Sequence, residues 1–177
     1  MKSSASSAAL ICVCFLFITS LQAQAPFREY PAGEPVVKNK MKIAAVWLTP
    51  IQMEGMKLPN QERVIHLECD VHAVRGNKNG FGVGEWIPYL TVKYSLVHTA
   101  SKKKIEGKMM PMVAKDGPHY AATIILPANG KYHLTYELRP PSENGFGRHS
   151  DPITGVAPFW KPFSVEYNFD YQGIPKD

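Results

Sequence analysis

The stretch KYHLTYELR, residues 131–139, is the clearest structural signal in this chain of 177 residues. Aromatic and aliphatic side chains occupy one set of alternate positions: Tyr132, Leu134, Tyr136 and Leu138. Polar side chains occupy the other set: His133, Thr135, Glu137 and Arg139. A period of two is typical of a β-strand with one face in the core and the other in water. The stretch therefore predicts such a strand.

Short alternating runs continue on both sides of this stretch, and none of the chain carries a sustained helical period. The runs predict seven strands, over 41–49, 63–74, 86–98, 104–113, 119–126, 131–139 and 159–171. Thirteen glycines and 15 prolines punctuate them, which is typical of a β-sandwich or barrel. The turn at Asn129 and Gly130, followed by Tyr132, resembles the tyrosine corner of immunoglobulin-like sandwiches.

The N-terminus has the features of a secretory signal peptide. Lys2 supplies a positive charge, and residues 8–18 form an unbroken apolar run of 11 residues, too short to span a bilayer. Small residues follow, and we predict cleavage after Ala23. The alternative is an uncleaved membrane anchor. We therefore expect a cleaved signal peptide over 1–23, a single domain over 24–177, and no membrane insertion after cleavage.

Charge and cysteine content narrow the class of protein. Without Lys2 the mature chain carries 19 basic and 15 acidic residues, a net charge of +4 that is too mild to indicate nucleic-acid binding. The basic run at 102–104 fits a solvated turn, with a partner-docking patch as the alternative. Cys69 is the one cysteine left after processing, so an intramolecular disulfide is impossible. Stability must come from packing or from a bound metal.

The segment IHLECDVHA, residues 65–73, places groups able to bind a metal on one strand face. Alternation points four polar side chains one way: His66, Glu68, Asp70 and His72. It points three apolar ones the other way: Leu67, Cys69 and Val71. A solvated face would explain the two carboxylates, but it explains two histidines in register less well. Metal binding and a plain solvated face both stay open on this segment alone.

Two further segments carry candidate ligands. In KMMPMVAKDGPHY, residues 108–120, three methionines crowd one run and His119 follows a tight turn. Thioether and imidazole groups suit copper, whereas calcium and magnesium prefer oxygen ligands. The alternative is methionines that fill the core. In FGRHSD, residues 146–151, His149 lies near Asp151, and alone it would be read as a surface histidine. We expect His98 and His133 to be exposed, and no catalytic motif is recognisable.

Several longer runs, in one order, are similar to a known family. They are EYPAGEP (29–35), HLECDVHA (66–73), GNKNGFGVGEWIPYLTVKY (76–94), MPMVAKDGPHY (110–120), GRHSDPITGV (147–156) and WKPF (160–163). With these runs the chain resembles the periplasmic iron-transport proteins of Gram-negative bacteria. The match extends over the whole mature chain.

The resemblance implies a single-domain, all-β, immunoglobulin-like antiparallel β-sandwich that forms a homodimer in the periplasm. It implies copper and iron as the bound ions, a copper site at or near the subunit interface, and delivery of iron to an inner-membrane iron permease. Carried over by position, the metal ligands are His66, Met112, His119 and His149, with Glu68 close by and Glu29 approaching from the N-terminal arm.

Four functions remain open on the sequence. The first is a metal-binding transport component that is not an enzyme, and this is the interpretation we favour. The second is a metalloenzyme that oxidises ferrous iron during uptake, and the third is a copper chaperone or resistance protein. The fourth, an adhesion sandwich with unrelated histidines, is disfavoured by the ligand set.

Overall fold

The computed structural model describes residues 28–174, and these residues are built mainly of β-strands. The strands are β1 Tyr30–Pro31, β2 Val36–Lys38, β3 Met41–Leu48, β4 Val64–Ala73, β5 Thr91–His98, β6 Lys104–Lys108, β7 Met110–Ala114, β8 Gly117–Ile125, β9 Gly130–Arg139 and β10 Phe163–Tyr171. A short 3-10 helix spans Pro141–Asn144. Between residues 28 and 174, no helix has the length and apolarity needed to span a bilayer. The predicted signal peptide, 1–23, lies outside the described residues.

The strands form two antiparallel sheets. The six-stranded sheet has the order β1-β3-β4-β8-β7, with β2 also paired to β3. The four-stranded sheet has the order β10-β9-β5-β6. The series β3-β4-β8-β7 and β10-β9-β5 match the A-B-E-D and G-F-C sheets of immunoglobulin domains. The predicted all-β, immunoglobulin-like sandwich is confirmed.

Hydrogen bonds from buried tyrosines hold a turn and the two sheets in place. The Tyr132 hydroxyl donates a hydrogen bond of 2.5 Å to the carbonyl of Ala128, which is the predicted tyrosine corner. The Tyr136 hydroxyl of β9 donates to the carbonyl of Glu68 in β4 at 2.8 Å. A buried hydroxyl needs such a partner to offset its desolvation. The bond from Tyr136 also holds the backbone of β4 beneath the side chains that β4 presents outward.

The segment predicted as one strand over 104–113 is two strands in different sheets. Strand β6 pairs with β5 in the four-stranded sheet, and β7 pairs with β8 in the six-stranded sheet. The chain crosses between the sheets at Met109, which is buried and whose backbone N–H donates to the carbonyl of Val92 at 2.9 Å. Alternation cannot reveal this change of sheet because the backbone stays extended on both sides of it. The strands predicted from 86 and 159 also start later, at Thr91 and Phe163.

Two long loops, 74–90 and 140–162, pack against each other at one end of the sandwich. The Asn79 side-chain amide donates to two backbone carbonyls of the second loop, both at 3.0 Å. The Phe146 ring stacks on Phe81 and Tyr89, with centroid distances of 6.3 and 4.9 Å. The loop that carries His149 is therefore anchored to the glycine-rich loop before β5.

Candidate metal centre

The outer face of β4 presents the four polar side chains that alternation predicted. The opposite positions, Leu67, Cys69 and Val71, are buried in the core, which confirms the predicted orientation of the strand. On the outer face, His66 and Glu68 are only 1% and 6% exposed. Residues 51–54 of the loop over 49–62 line a cleft together with His66 on this face.

Three potential metal donors meet on this face. His66 and Glu68 come from β4, and His119 comes from the neighbouring strand β8. The Nε2 atoms of both histidines lie 3.4 Å from Oε1 of Glu68. One donor atom from each residue lies within 4.8 Å of the other two. A single ion of transition-metal size bridges donors at this spacing after small side-chain movements, because metal–ligand distances are about 2.0–2.3 Å.

Met112 stands beside these donors. It lies directly opposite His119 in the β7–β8 register, so their side chains share the outer face. Met112 is half-buried and lines one cleft with His66 and His119. The sheet thereby places a thioether side chain on the same face as the two imidazoles.

A group of carboxyl groups surrounds the cluster and changes its electrostatics. Burial raises the pKa of Glu68 to about 8, and the nearby Asp70, Glu29 and Asp116 contribute in the same direction. Burial also raises the pKa values of Glu29 and Asp70. At neutral pH the Glu68 carboxyl group is therefore largely protonated, because a buried anion beside other anions is costly.

The buried imidazole of His66 is held in its neutral form. Burial, followed by the charge of His119, lowers the pKa of His66 to about 4. Its Nδ1 atom is buried and has no hydrogen-bond partner among the described residues. The unpartnered Nδ1 carries a cost of burial. The atom that faces the other donors is Nε2, 3.4 Å from Oε1 of Glu68, and a neutral imidazole can offer a lone pair there to a cation. The donor set of imidazole, thioether and carboxyl fits copper better than calcium or magnesium.

The remaining predicted ligands take different positions. The pKa of Glu29, before β1, is raised by burial and by Asp70 and Asp116 and lowered by His119, which places Glu29 beside the cluster. His149 is exposed in its loop, and its Nδ1 atom lies 2.8 Å from the Thr154 hydroxyl. Within the described chain, His149 does not belong to the three-donor group.

The prediction that His98 is exposed was wrong. His98 is 5% exposed, and its ring nitrogens lie 2.7 Å from the Ser101 hydroxyl and 3.1 Å from the carbonyl of Asn129. The ring joins the β5–β6 turn to the turn before β9. His133 has a side chain that is 38% exposed, in agreement with its predicted position on the solvent face of β9.

Sequence reasoning missed two contributors to the centre. Asp116 was read only as part of a tight turn, yet its charge raises the pKa of Glu68. The loop over 49–62 carries no polar motif, yet its residues 51–54 form one wall of the cleft at His66. The position of Asp116 between Met112 and His119 was an available signal, whereas the loop offered none.

Comparison with known proteins identifies the family. The profile described as Fe2+ transport protein matches residues 26–173. The chain belongs to the Fe2+ transport protein family. Membership confirms the resemblance found in the sequence, and it places the donor cluster of β4 and β8 in a fold shared by iron-transport proteins.

Members of this fold have been solved with copper. A copper-bound variant of FetP from uropathogenic Escherichia coli strain F11 is 57% identical, with a TM-score of 0.80 over 84% of this chain and 100% of that chain. A copper-reconstituted protein from Campylobacter jejuni is 46% identical, with a TM-score of 0.80 over 84% of this chain and 99% of that chain. A UPF0423 protein of Brucella abortus strain 2308 is 47% identical over 154 residues, covering 84% of this chain and 85% of that protein.

Proposed function

We propose that this protein is a periplasmic metal-binding component of a high-affinity iron uptake system. It holds copper at the His66, Glu68 and His119 donors and delivers iron to an inner-membrane permease. The observation that carries the proposal is the convergence of three buried donors within 4.8 Å of one another, in a chain of the Fe2+ transport protein family. Related proteins of this fold are copper-bound.

Hard and soft donors at the centre suit the two metals differently. The imidazoles of His66 and His119, together with the Met112 thioether, favour copper. Carboxylates favour harder ions, and ferrous iron is the cargo we assign to Glu29 and Glu68 with Asp116 nearby. Burial and neighbouring carboxyl groups raise the pKa values of Glu29 and Glu68, so these two groups bind a cation in exchange for protons and release it on protonation. This behaviour suits transport rather than storage.

Uptake of iron by cells tests the proposed function. Deleting the gene should lower the uptake of radiolabelled ferrous iron at low external iron, and the wild-type gene should restore it. The His66→Ala gene should not restore uptake, because it removes a buried donor. The His133→Ala gene is the matched control and should restore it, since His133 lies on the other sheet. Unchanged uptake in the deletion strain would contradict the proposal.

We further propose that the protein is a two-fold dimer in which His149 completes the copper site of the partner subunit. Within one chain His149 is exposed, on a loop that also exposes Ile153 at 92%. The neighbouring loop exposes Val83 at 75%, on the rim of the cleft with Asp70. Exposed apolar side chains beside an exposed ligand are typical of an interface. In a two-fold dimer each His149 would face the other subunit's cluster.

Mixed dimers test this exchange of ligands. Copper binding should be weak in pure His66→Ala dimers and in pure His149→Ala dimers. A dimer of one His66→Ala subunit and one His149→Ala subunit should contain one intact site. The His149→Ala subunit keeps its own His66 and receives His149 from its partner, so both losses fall on the other site. Equilibrium dialysis of differently tagged heterodimers measures the copper bound. If His149 acted within its own chain, both sites of the mixed dimer would be damaged and no recovery would occur.

A further inference from the structure

The loop over 49–62 forms the outer wall of the metal centre. This loop connects β3, which ends at Leu48, to its sheet neighbour β4, which begins at Val64. A cleft of about 420 Å³ lies between this loop and the sheet. Residues 51–54 line one wall, and the sheet wall includes His66, Met112 and His119. Residues 51–54 therefore lie across the cleft from the two histidines of the donor cluster.

Local hydrogen bonds hold the part of the loop that carries Met53. The side-chain amide of Gln52 donates to the carbonyls of Met53 and Met56, at 3.0 and 2.7 Å. The backbone N–H of Met56 donates to the carbonyl of Met53 at 3.2 Å, which closes a turn. Met53 is half-buried and lines the cleft, whereas Met56 is 45% exposed and does not line it. The two methionines also line a smaller neighbouring cleft together, so they differ in that only Met53 reaches the cleft at His66.

Met53 does not have the environment of a methionine that fills the core. It belongs to a loop outside the sheet and is absent from the buried hydrophobic cluster of the described residues. The sheet wall of the cleft offers one thioether, at Met112, and Met53 offers a second from the facing wall. Thioethers are soft ligands and select cuprous over cupric copper.

We propose that Met53 is a second thioether ligand of the copper site, and that with Met112 it gives the site a preference for Cu(I). The proposal rests on the copper site assigned above. It adds a ligand that determines the preferred oxidation state of copper, and this ligand comes from a loop whose position the strand pattern does not predict. The loop would then act as a cover whose own donor holds the cuprous ion against solvent.

The Met53→Leu variant tests this role, because leucine keeps the volume and removes the sulfur. Competition with a chromophoric cuprous chelator under anaerobic conditions should show Cu(I) affinity lowered by about ten- to a hundredfold. Cu(II) affinity should change by less than about threefold, because cupric copper favours nitrogen and oxygen donors. Met56→Leu, in the same turn but outside the cleft, is the control and should match the wild type.

X-ray absorption of the cuprous protein gives an independent measurement. Sulfur scattering at copper should fall by about half in Met53→Leu and likewise by about half in Met112→Leu, compared with the wild type. If Met112→Leu loses Cu(I) affinity and Met53→Leu does not, the role of Met53 is refuted while the copper site stands. If neither His119→Ala nor Met112→Leu changes copper binding, the proposed site itself is refuted.

Discussion

The His119→Ala variant is expected to bind copper more than about a hundredfold more weakly than the wild type. Substituting a residue that only hydrogen-bonds to a metal ligand already lowers metal affinity by about ten- to a hundredfold. His119 would contribute a ligand atom itself, so its loss should cost more. No other histidine on β8 can replace it, because the β8 residues that pair with Glu68 and His66 are Ala121 and Thr123. Competition titration of the purified mature protein against a chelator of known affinity measures the change.

The matched control for His119 is His133. It is a histidine on a strand of the same sandwich, but it lies on the four-stranded sheet, with its Nδ1 atom 3.0 Å from the side-chain oxygen of Asn168. His133→Ala should leave copper affinity unchanged. His98 cannot serve as a control, because it is buried and hydrogen-bonded at two turns. Equal losses in the His119 and His133 variants would overturn the assignment of the site.

Copper affinity should rise about tenfold for each pH unit between about pH 6 and 8, then level off. The raised pKa of Glu68, about 8, means that its carboxyl group must lose a proton when it binds the metal. Below the pKa the ionised fraction falls about tenfold per unit, and affinity falls with it. Glu68→Gln carries no such proton and should flatten the pH profile. A wild-type profile as flat as that of Glu68→Gln would show that Glu68 does not ionise on binding.

The free energy of unfolding of the metal-free protein should fall with rising pH over part of the range in which copper affinity rises. In the unfolded chain Glu68 ionises near the ordinary glutamate pKa of 4.5, whereas in the fold it keeps its proton up to about pH 8. The unfolded state then binds fewer protons, so the free energy of unfolding falls as pH rises. His66, with its pKa lowered from 6.5 to about 4, acts in the opposite sense below pH 6.5. The effect of Glu68 should therefore dominate between about pH 6.5 and 8.

Urea denaturation of the metal-free protein measures this second effect. The wild type should lose stability from about pH 6.5 to 8, and Glu68→Gln should lose less. Saturating copper should reverse the loss, since a ligand that binds the folded state stabilises it. Stability that rises with pH for the metal-free wild type would contradict the protonated state of Glu68.

The alternation of apolar and polar residues along the strands predicted much of the fold and part of the site. The alternation in 131–139 predicted which side chains of β9 enter the core, and the same rule placed His66 and Glu68 on the outer face of β4. These predictions succeed because the period of two is local to each strand and needs no knowledge of its neighbours. The tyrosine corner at Tyr132 was equally visible, since its hydrogen bond closes within four residues.

The other features of the fold and the site depend on pairing between segments distant in sequence, and no local sequence pattern encodes that pairing. The meeting of His119 with His66 and Glu68 depends on the register of β8 against β4. The division of the predicted strand at Met109 depends on which sheet each half joins. The raised pKa of Glu68 depends on burial and on the nearby Asp116 and Glu29.

The sequence by itself determined the strand faces and the family, and it named the candidate donor residues. The tertiary structure alone decided that His66 is buried on an outer face, that His98 links two turns, and that Met53 lines the same cleft as His66 and His119. The physical reason is that side-chain orientation follows from the backbone of one strand. Burial, donor spacing and proton affinity, in contrast, arise only when segments far apart in sequence pack together.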